Sequence, residues 1–440
     1  LNIVEHGVTR PKTLDFFNSF LFGSIASKRY AYVMRILCLQ QSSIFETYGG
    51  IEYYLHDLLT ITSEILGPSS VISFVPKRSD SFKLTQTNYE VVPVEYKNQG
   101  LLKKLENRLS PTLLQAALRK SKELKPDIII VGHVSLAPLG MALSKILDIP
   151  YWTIAYGLEV WGGTNLVDEF ALRSSQKIIS ISHWTKNILV ARGFRENKIE
   201  IVHPCLQPGL ENKSPKLHFT PAKAPLQLLT VSRLDPQERY KGHDHVLSAM
   251  GLIKQTRPEA LPHYTIQGHG DDRSRLEQLV FLGGLQEHVT FLDKLTSRED
   301  LDTLYRQSDV FIMPSRFGCW DGRWRGEGFG IVYVEAGALG IPSIAYDCGG
   351  VTDIIQSGKN GILVKPNDIE QLSQTLLELH DHRERISELG RQARETALTR
   401  FSRTAIKSEI EKAFGSSQSI TEVRPSSNPI DVSHIVDSIS

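Results

Sequence analysis

The chain has 440 residues, 41% of them hydrophobic and 22% charged, enough to bury more than one core at about 150 residues per domain. Fifty Lys and Arg against forty-nine Asp and Glu leave a net charge of +1, which excludes a protein held on nucleic acid along its whole length. No run approaches the roughly 18 apolar residues of a membrane-spanning helix, and ordinary Gly, Pro and aromatic usage excludes fibrous and disordered chains.

Residues 1–33 read as an N-terminal extension outside the fold. Their apolar patch, Phe16 to Gly23, is short and interrupted, and no small-residue cleavage site follows it, so a docked or flexible extension is preferred to a signal peptide. From Met34 onward, short β-branched runs alternate with longer amphipathic stretches, the pattern of parallel strands joined by crossover helices. Strands are predicted at Arg35 to Leu39, Val71 to Val75, Glu90 to Val94, Asp127 to Val131, Tyr151 to Ala155, Lys177 to Ser182 and Ile199 to Val202. A first domain thus covers 34–210. The Pro- and Lys-containing stretch that ends at Pro225 has no periodic apolar face and reads as a linker, residues 211–225. The alternation then restarts at Leu226 to Val231, Tyr264 to Gln267, Val289 to Leu292, Val310 to Met313, Ser343 to Ala345 and Ile362 to Val364, with a helix over Asp368 to His380. Residues 226–398 form the second domain, 399–414 a final helix and 415–440 a Ser-rich mobile tail. The fold class is α/β, two doubly wound, Rossmann-like domains whose strand carboxyl ends face one shared cleft. Cys38, Cys205, Cys319 and Cys348 form no CxxC pair; neither a zinc site nor a disulfide framework is expected, and a reducing cytoplasm fits.

Three clusters carry chemistry. In Gly326 to Ala336, Glu327 and Glu335 stand eight residues apart, the first among glycines and the second on a helix that starts near Gly330. Such a helix start aims free N–H groups at a phosphate or sugar, and an ionised carboxylate suits ribose hydroxyls. In Ser232 to Asp244, Arg233 at a strand end and Lys241 at the next helix start can converge on one anion, Arg239 being the competitor for that role. Gly49 and Gly50 follow the first strand and open a helix, so their backbone can also meet a phosphate. They lack the third glycine of the dinucleotide fingerprint, which counts against a nicotinamide enzyme. Gly268-His269-Gly270 reads as a tight strand-to-helix turn edging the base.

Taken in order, Gly49-Gly50-Ile51-Glu52, Arg233, Lys241-Gly242, Gly268-His269-Gly270, Glu327-Gly328-Phe329-Gly330-Ile331-Val332 with Glu335, Cys348-Gly349-Gly350 and Asn360 to Val364 resemble a family 4 glycosyltransferase over roughly Met34 to Phe414. The resemblance implies the GT-B architecture and transfer of a hexose from a nucleotide-diphosphate sugar with retention of configuration, without a bound metal or other cofactor. It implies that Arg233 and Lys241 hold the donor diphosphate and Glu335 the ribose. Glu327, with the backbone of Gly328, Phe329, Gly330 and Ile331, would meet the sugar, and Gly50 the phosphate from the opposite side. The leaving diphosphate would take the acceptor proton, so no carboxylate nucleophile is required, unlike the paired carboxylates of glycosidases. GDP-mannose is the first expectation for the donor, from similarity of the Glu327 segment to bacterial mannosyltransferases, and UDP-glucose the second. A nucleotide-sugar epimerase, a phosphorylase and a non-catalytic sugar-nucleotide binder are the alternatives.

One departure from the family lies at Ala155 to Trp161, where Tyr156 takes the place of a histidine in an HGxE-like turn. A phenol can donate the same hydrogen bond but is no base at neutral pH. Tyr156, Glu159 and His133 are the expected acceptor or sugar contacts, with a loop role equally open for His133. The insertion Trp320 to Arg325 offers aromatic and guanidinium groups for a sugar or an anionic acceptor, or is a plain surface loop. Lys97 to Lys125 holds eight Lys or Arg and two Glu, with Leu101, Leu102, Leu105 and Leu109 on one helical face. It is either a peripheral membrane contact toward a glycolipid acceptor or a solvated helix with an ordinary core face.

Overall fold

Strands of four or five residues with no polar alternation can only be satisfied by burial on both faces, which is what a parallel sheet covered by helices provides. The computed structural model describes residues 34–46, 49–78, 82–95, 110–216, 219–221, 224–293 and 297–415. The extension 1–33, Tyr48, the part of the basic stretch over 96–109 with its four leucines, and the tail 416–440 lie outside the described residues.

The first sheet contains β1 (Ile36–Leu39), β2 (Val71–Lys77), β3 (Glu90–Glu95), β4 (Ile128–Val131), β5 (Tyr151–Ala155), β6 (Lys177–Ser180) and β7 (Ile199–Ile201). Its seven strands are parallel in the order β3-β2-β1-β4-β5-β6-β7. The second contains β8 (Gln227–Val231), β9 (His263–Gln267), β10 (Val289–Leu292), β11 (Val310–Ile312), β14 (Ser343–Tyr346) and β15 (Gly361–Val364), in the order β10-β9-β8-β11-β14-β15. Between β11 and β14 a separate hairpin, β12 (Gly318–Trp320) and β13 (Arg323–Arg325), occupies the predicted insertion. Each main strand lies within two residues of its predicted limits. This is the GT-B plan of two doubly wound sheets. In each sheet the direction of strand succession reverses, at β1/β4 and at β8/β11. The crevice that opens at such a reversal is where loops can receive a ligand. Gly49-Gly50 and His133 follow the first pair; Arg233 and the hairpin follow the second.

The helix expected over Thr399 to Phe414 is two helices in part. Helix Arg383–Arg400 ends, Phe401 and Ser402 bend the chain, and helix Arg403–Gly415 follows. The break has a local cause. The Phe401 carbonyl accepts the Leu206 N–H at 2.7 Å, and Ser402 Oγ accepts the Ala405 N–H at 3.3 Å, so the backbone bonds that would continue the first helix go elsewhere. The last helix returns to the first sheet. Phe414 meets the Trp152 ring with centroids 4.8 Å apart, Lys177 Nζ donates to the Ala413 carbonyl at 2.6 Å, and Arg403 pairs with Glu64 at 2.7 Å. A continuous apolar cluster runs from Leu55 and Leu59 through Leu206 and Phe401 to Phe329 and Val334, joining both halves. Helix Pro111–Leu124, the described part of the basic stretch, turns Leu113, Leu118 and Leu124 to the core. Lys120 binds Glu90 at 3.1 Å and Glu123 at 2.9 Å. No helix among the described residues is long and apolar enough to cross a membrane.

Truncating Phe414 to Ala removes a buried ring from the seam and is expected to destabilise the protein by about 3 kcal/mol. A lower urea midpoint in tryptophan fluorescence is the readout, and an unchanged midpoint would mean that the last helix docks without help from this contact.

Candidate active site

The loop that leaves β8 is held by close backbone packing. A β-carbon on Gly268 would stand 1.8 Å from the Ser232 carbonyl oxygen, and one on Gly270 would stand 2.1 Å from that of Leu234. These glycines therefore lie behind the Arg233 loop and fix its path; their smallness is required by protein backbone. Asp235 then accepts the Gln237 N–H at 2.7 Å and starts the turn Pro236–Lys241. Gly242 follows at φ +81°, with Pro314 O 2.2 Å from where its β-carbon would be.

This turn sorts the three cations. Lys241 points inward, its Nζ 3.6 Å from Glu238 Oε2 and 3.6 Å from Glu327 Oε2. Arg233 stays outside, 74% exposed, and pairs with the other oxygen of Glu238. Arg239 turns away to Asp272 at 2.7 Å. Both Glu238 Oε2 and Glu327 Oε2 are buried without a hydrogen-bond donor, since 3.6 Å is an ion pair and too long for a hydrogen bond. Two carboxylate oxygens and a lysine thus retain unspent bonding capacity at one place, a condition native interiors avoid away from functional sites. Glu238 was not foreseen as a site residue; its position three residues before Lys241, inside the cationic loop, was the available signal.

Glu327 is placed by peptide groups on peptide groups. The Gly350 N–H donates to the Glu327 carbonyl at 2.8 Å, and a β-carbon on Gly350 would lie 2.0 Å from the Gly328 oxygen. Gly328 in turn lies against the first half, where the Tyr156 carbonyl oxygen is 2.5 Å from its own would-be β-carbon. Phe329 is buried against His203 and Phe401, at ring separations of 5.7 and 5.4 Å. Gly330, at φ +93°, caps helix Ile331–Ala338 with no side chain on the helix start, leaving first-turn N–H groups at the crevice.

Glu335 lies one turn further on and is separated from this group. It is 3% exposed; Oε1 takes Arg298 Nη1 at 3.0 Å and Oε2 takes the Tyr305 hydroxyl at 3.3 Å. Burial pushes its carboxyl up from the ordinary value while Arg298 opposes the shift. Arg298 and Tyr305 were not foreseen. They are seven residues apart on helix Arg298–Gln307, hence on one face, a pattern visible in sequence but without a partner to give it meaning.

In the first half, helix Gly50–Leu66 opens without a side-chain cap on Gly49. A β-carbon on Gly49 would touch Glu52 Oε2 at 2.6 Å, whereas Gly50 faces open space. His133 Nδ1 accepts the Ser135 N–H at 3.2 Å, which assigns the ring proton to Nε2. Burial lowers its pKa, so the ring is a neutral donor. Tyr156 differs from its expected role. Its hydroxyl donates to the buried Gly132 carbonyl at 2.9 Å, so the phenol is turned to the core and only its peptide group reaches the Glu327 loop. Glu159 Oε1 accepts the Tyr156 N–H at 2.5 Å and so braces the turn before Leu158–Trp161. The β12–β13 hairpin turns at Asp321 and Gly322, both at positive φ, the geometry that matches strand twist. It leans on the first half, Trp324 lying where a Gly162 β-carbon would come within 2.3 Å. Phe317 stands 5.1 Å from each of Trp161, Trp184 and Trp324.

Comparison with known proteins identifies the family of both halves and the fold. The family model Glycosyltransferase Family 4 matches residues 48–208, and Glycosyl transferases group 1 matches residues 216–396. The chain is 23% identical over 359 residues to mannosylfructose-phosphate synthase of Agrobacterium fabrum, covering 73% of this chain and 74% of that protein. It is 32% identical over 185 residues to a GDP-mannose-dependent alpha-(1-6)-phosphatidylinositol monomannoside mannosyltransferase of Mycobacterium tuberculosis, covering 41% of this chain and 45% of that one. In fold it is similar to Anabaena HepE solved with UDP, with a TM-score of 0.67, 19% identity and coverage of 87% of this chain and 100% of that one. Sucrose-phosphate synthase from Thermosynechococcus elongatus gives a TM-score of 0.69 at 20% identity over 89% of this chain and 100% of that one.

The different settings of the cations make a contrast that calorimetry with a nucleoside diphosphate can read. Lys241→Met is expected to weaken binding by about tenfold or more, the loss of a charge-assisted contact. Arg239→Met should stay near wild type, because its charge is already spent on Asp272; equal losses in both variants would refute the sorting.

Proposed function

We propose that this chain, which belongs to glycosyltransferase family 4 and transfers a sugar from a nucleotide sugar, moves mannose from GDP-mannose to a glycolipid or glycan acceptor with retention of configuration. The observation that carries the reading is the Lys241 ammonium between Glu238 and Glu327, with Arg233 beside it and an uncapped helix start next to it. The donor choice is supported by relatives from Corynebacterium glutamicum and Mycobacterium tuberculosis whose names are GDP-mannose-dependent. UDP-glucose is the competing donor, and the epimerase, phosphorylase and binder readings predict no glycosylated acceptor.

In this reading 34–210 is the acceptor-side domain and 226–398 the donor-side domain, linked through 211–225. Arg233 and Lys241 hold the diphosphate in the place a metal cofactor would otherwise serve, helped by Gly50 from the other side. Glu238 balances the two cations until the diphosphate brings its own charge. Glu335, steadied by Arg298, takes the ribose hydroxyls in competition with Tyr305. Glu327 and the backbone from Gly328 to Ile331 orient the sugar. The acceptor hydroxyl oxygen bonds to the anomeric carbon as that carbon's bond to the phosphate oxygen breaks, and the hydroxyl proton passes to the departing phosphate on the same face. Positive charge placed where the phosphate charge grows is the main source of rate. His133 Nε2–H is a donor available to sugar or acceptor.

A glycolipid acceptor is supported by the exposed apolar side chains of two successive first-half helices, Leu158 on Leu158–Trp161 and Leu166, Val167 and Phe170 on Leu166–Ser174, since exposed apolar groups suit an amphiphilic ligand. The setting proposed is the cytoplasm, peripheral to the membrane, with four free cysteines in keeping with a reducing compartment.

With GDP-mannose, UDP-glucose and a panel of glycolipid acceptors, NMR of the product should show an α-linked mannoside. Arg233→Ala is expected to lower kcat by about a hundredfold or more, and Glu335→Ala to raise the donor KM with a smaller change in kcat. Wild-type transfer by both variants would overturn the assignment, and turnover with UDP-glucose alone would replace the donor.

A further inference from the structure

His203 follows β7 and is buried, yet it faces carboxylates on both sides. Nδ1 stands 2.8 Å from Glu409 Oε1, its backbone N–H donates to Glu409 Oε2 at 2.8 Å, and Nε2 stands 3.2 Å from Asp353 Oδ2. Carboxylate oxygens only accept, so both ring nitrogens must donate, and the ring is an imidazolium. Asp353 Oδ2 also receives the His183 backbone N–H at 2.7 Å and faces His183 Nδ1 at 3.2 Å. The cluster therefore gathers the start of helix His183–Ala191 and the end of the first sheet from one half, the turn Gly350–Asp353 from the other, and the last helix.

The same ring touches the sugar-binding loop. His203 packs on Phe329 at 5.7 Å and on Phe401 at 5.6 Å. The turn that carries Asp353 begins with Gly350, whose N–H holds the Glu327 carbonyl. We infer that His203 is a positioning residue for the proposed transfer: its charged ring ties the Asp353 turn and the Phe329 loop to the last helix and the first half, and so sets where Glu327 stands across the cleft. This rests on the proposed function for its catalytic consequence but not for the ion pair itself.

His183, His203 and Asp353 also have ligand atoms close enough for a metal ion, all within 4.8 Å of one another. The bonding favours a proton. Buried polar atoms without a partner occur at Glu238, Glu327, Arg298 and Asp302, but none of His203 or Asp353 is among them, so this cluster is complete without a further ligand.

Burial alone would lower the His203 pKa, but hydrogen bonds to Asp353 and Glu409 raise it to about 9. The folded value lies above the ordinary histidine value near 6.5. The stabilisation is therefore complete below about pH 6.5 and is lost as pH rises through about 9. The titratable groups around the ring are Glu409 on the last helix, Asp353 on its turn and His183 on its helix. Tyr54 and Asp57 face it from helix Gly50–Leu66, and Cys205 from its own segment.

Three measurements on the whole 440-residue chain test this. His203→Gln should leave nucleoside diphosphate affinity within about twofold while lowering kcat about tenfold to a hundredfold, as a small misplacement of a reacting group does. The alkaline fall of kcat near pH 9 should disappear in His203→Gln and move to higher pH in His203→Lys, which keeps the charge. Should His203→Gln fail to fold, Glu409→Gln leaves the ring in place and should bring the alkaline fall to lower pH. Independently of any substrate, nitrogen-15 NMR of labelled histidine should show one ring doubly protonated at pH 8 and titrating near 9; this arm stands even if no nucleotide sugar is turned over. Unchanged kcat and pH profile in His203→Gln would overturn the positioning role. A neutral ring at pH 8, or zinc held at one equivalent with activity lost to a chelator, would overturn the imidazolium.

Discussion

Peptide groups pressed against peptide groups, with no space for a β-carbon, determine where everything else in the cleft stands. Gly350 lies on Gly328, Gly328 on the Tyr156 carbonyl, Gly268 on Ser232, Gly270 on Leu234 and Gly242 on Pro314. Each contact brings together loops from strands that are distant in sequence, and each would be pushed apart by a single methyl group. Because the loops are held by backbone, they leave N–H groups and short side chains facing the crevice. The uncapped start of helix Ile331–Ala338 is one result, and the inward aim of Lys241 is another.

The charges follow from that packing. A largely buried lysine needs counterions, and Glu238 and Glu327 supply them at distances too long to satisfy their own inner oxygens. In the proposed function, a diphosphate entering beside Arg233 would meet cations already held in place, so little reorganisation would oppose its binding. Glu335 and Arg298 repeat the principle one helical turn deeper, with the buried carboxylate kept beside a guanidinium. His203 repeats it with the opposite sign, a buried cation between two carboxylates. Lys241 with Glu327, Glu335 with Arg298 and His203 with its two carboxylates each join segments distant in sequence, and the His203 cluster also joins the two halves, so electrostatics and loop placement depend on each other.

Among the described residues the two halves share an apolar cluster and a crossing helix. The last helix belongs by packing to the first sheet although it follows the second in sequence, and the bend at Phe401 is where it leaves. The Trp324 hairpin makes a second bridge at the lip of the cleft. The loops of the second half are thereby attached to the first half at the seam and through the hairpin.

By itself the sequence determined the strands, their parallel class, the two halves and the approximate place of Arg233, Lys241, Glu327 and Glu335. Hydrophobic runs, periodicity and glycine spacing are local properties that the covalent chain carries in order. Tertiary structure alone decided how those side chains are spent. The Tyr156 hydroxyl went to Gly132 and away from the cleft, Arg239 went to Asp272, and the glycines of Gly268-His269-Gly270 went behind the Arg233 loop. Glu238, Arg298, Tyr305 and His203 gained their roles from partners brought close by folding, Glu409 lying 206 residues from His203. A polar atom's partner is chosen by which segments come within about 3 Å, and no local pattern encodes that distance.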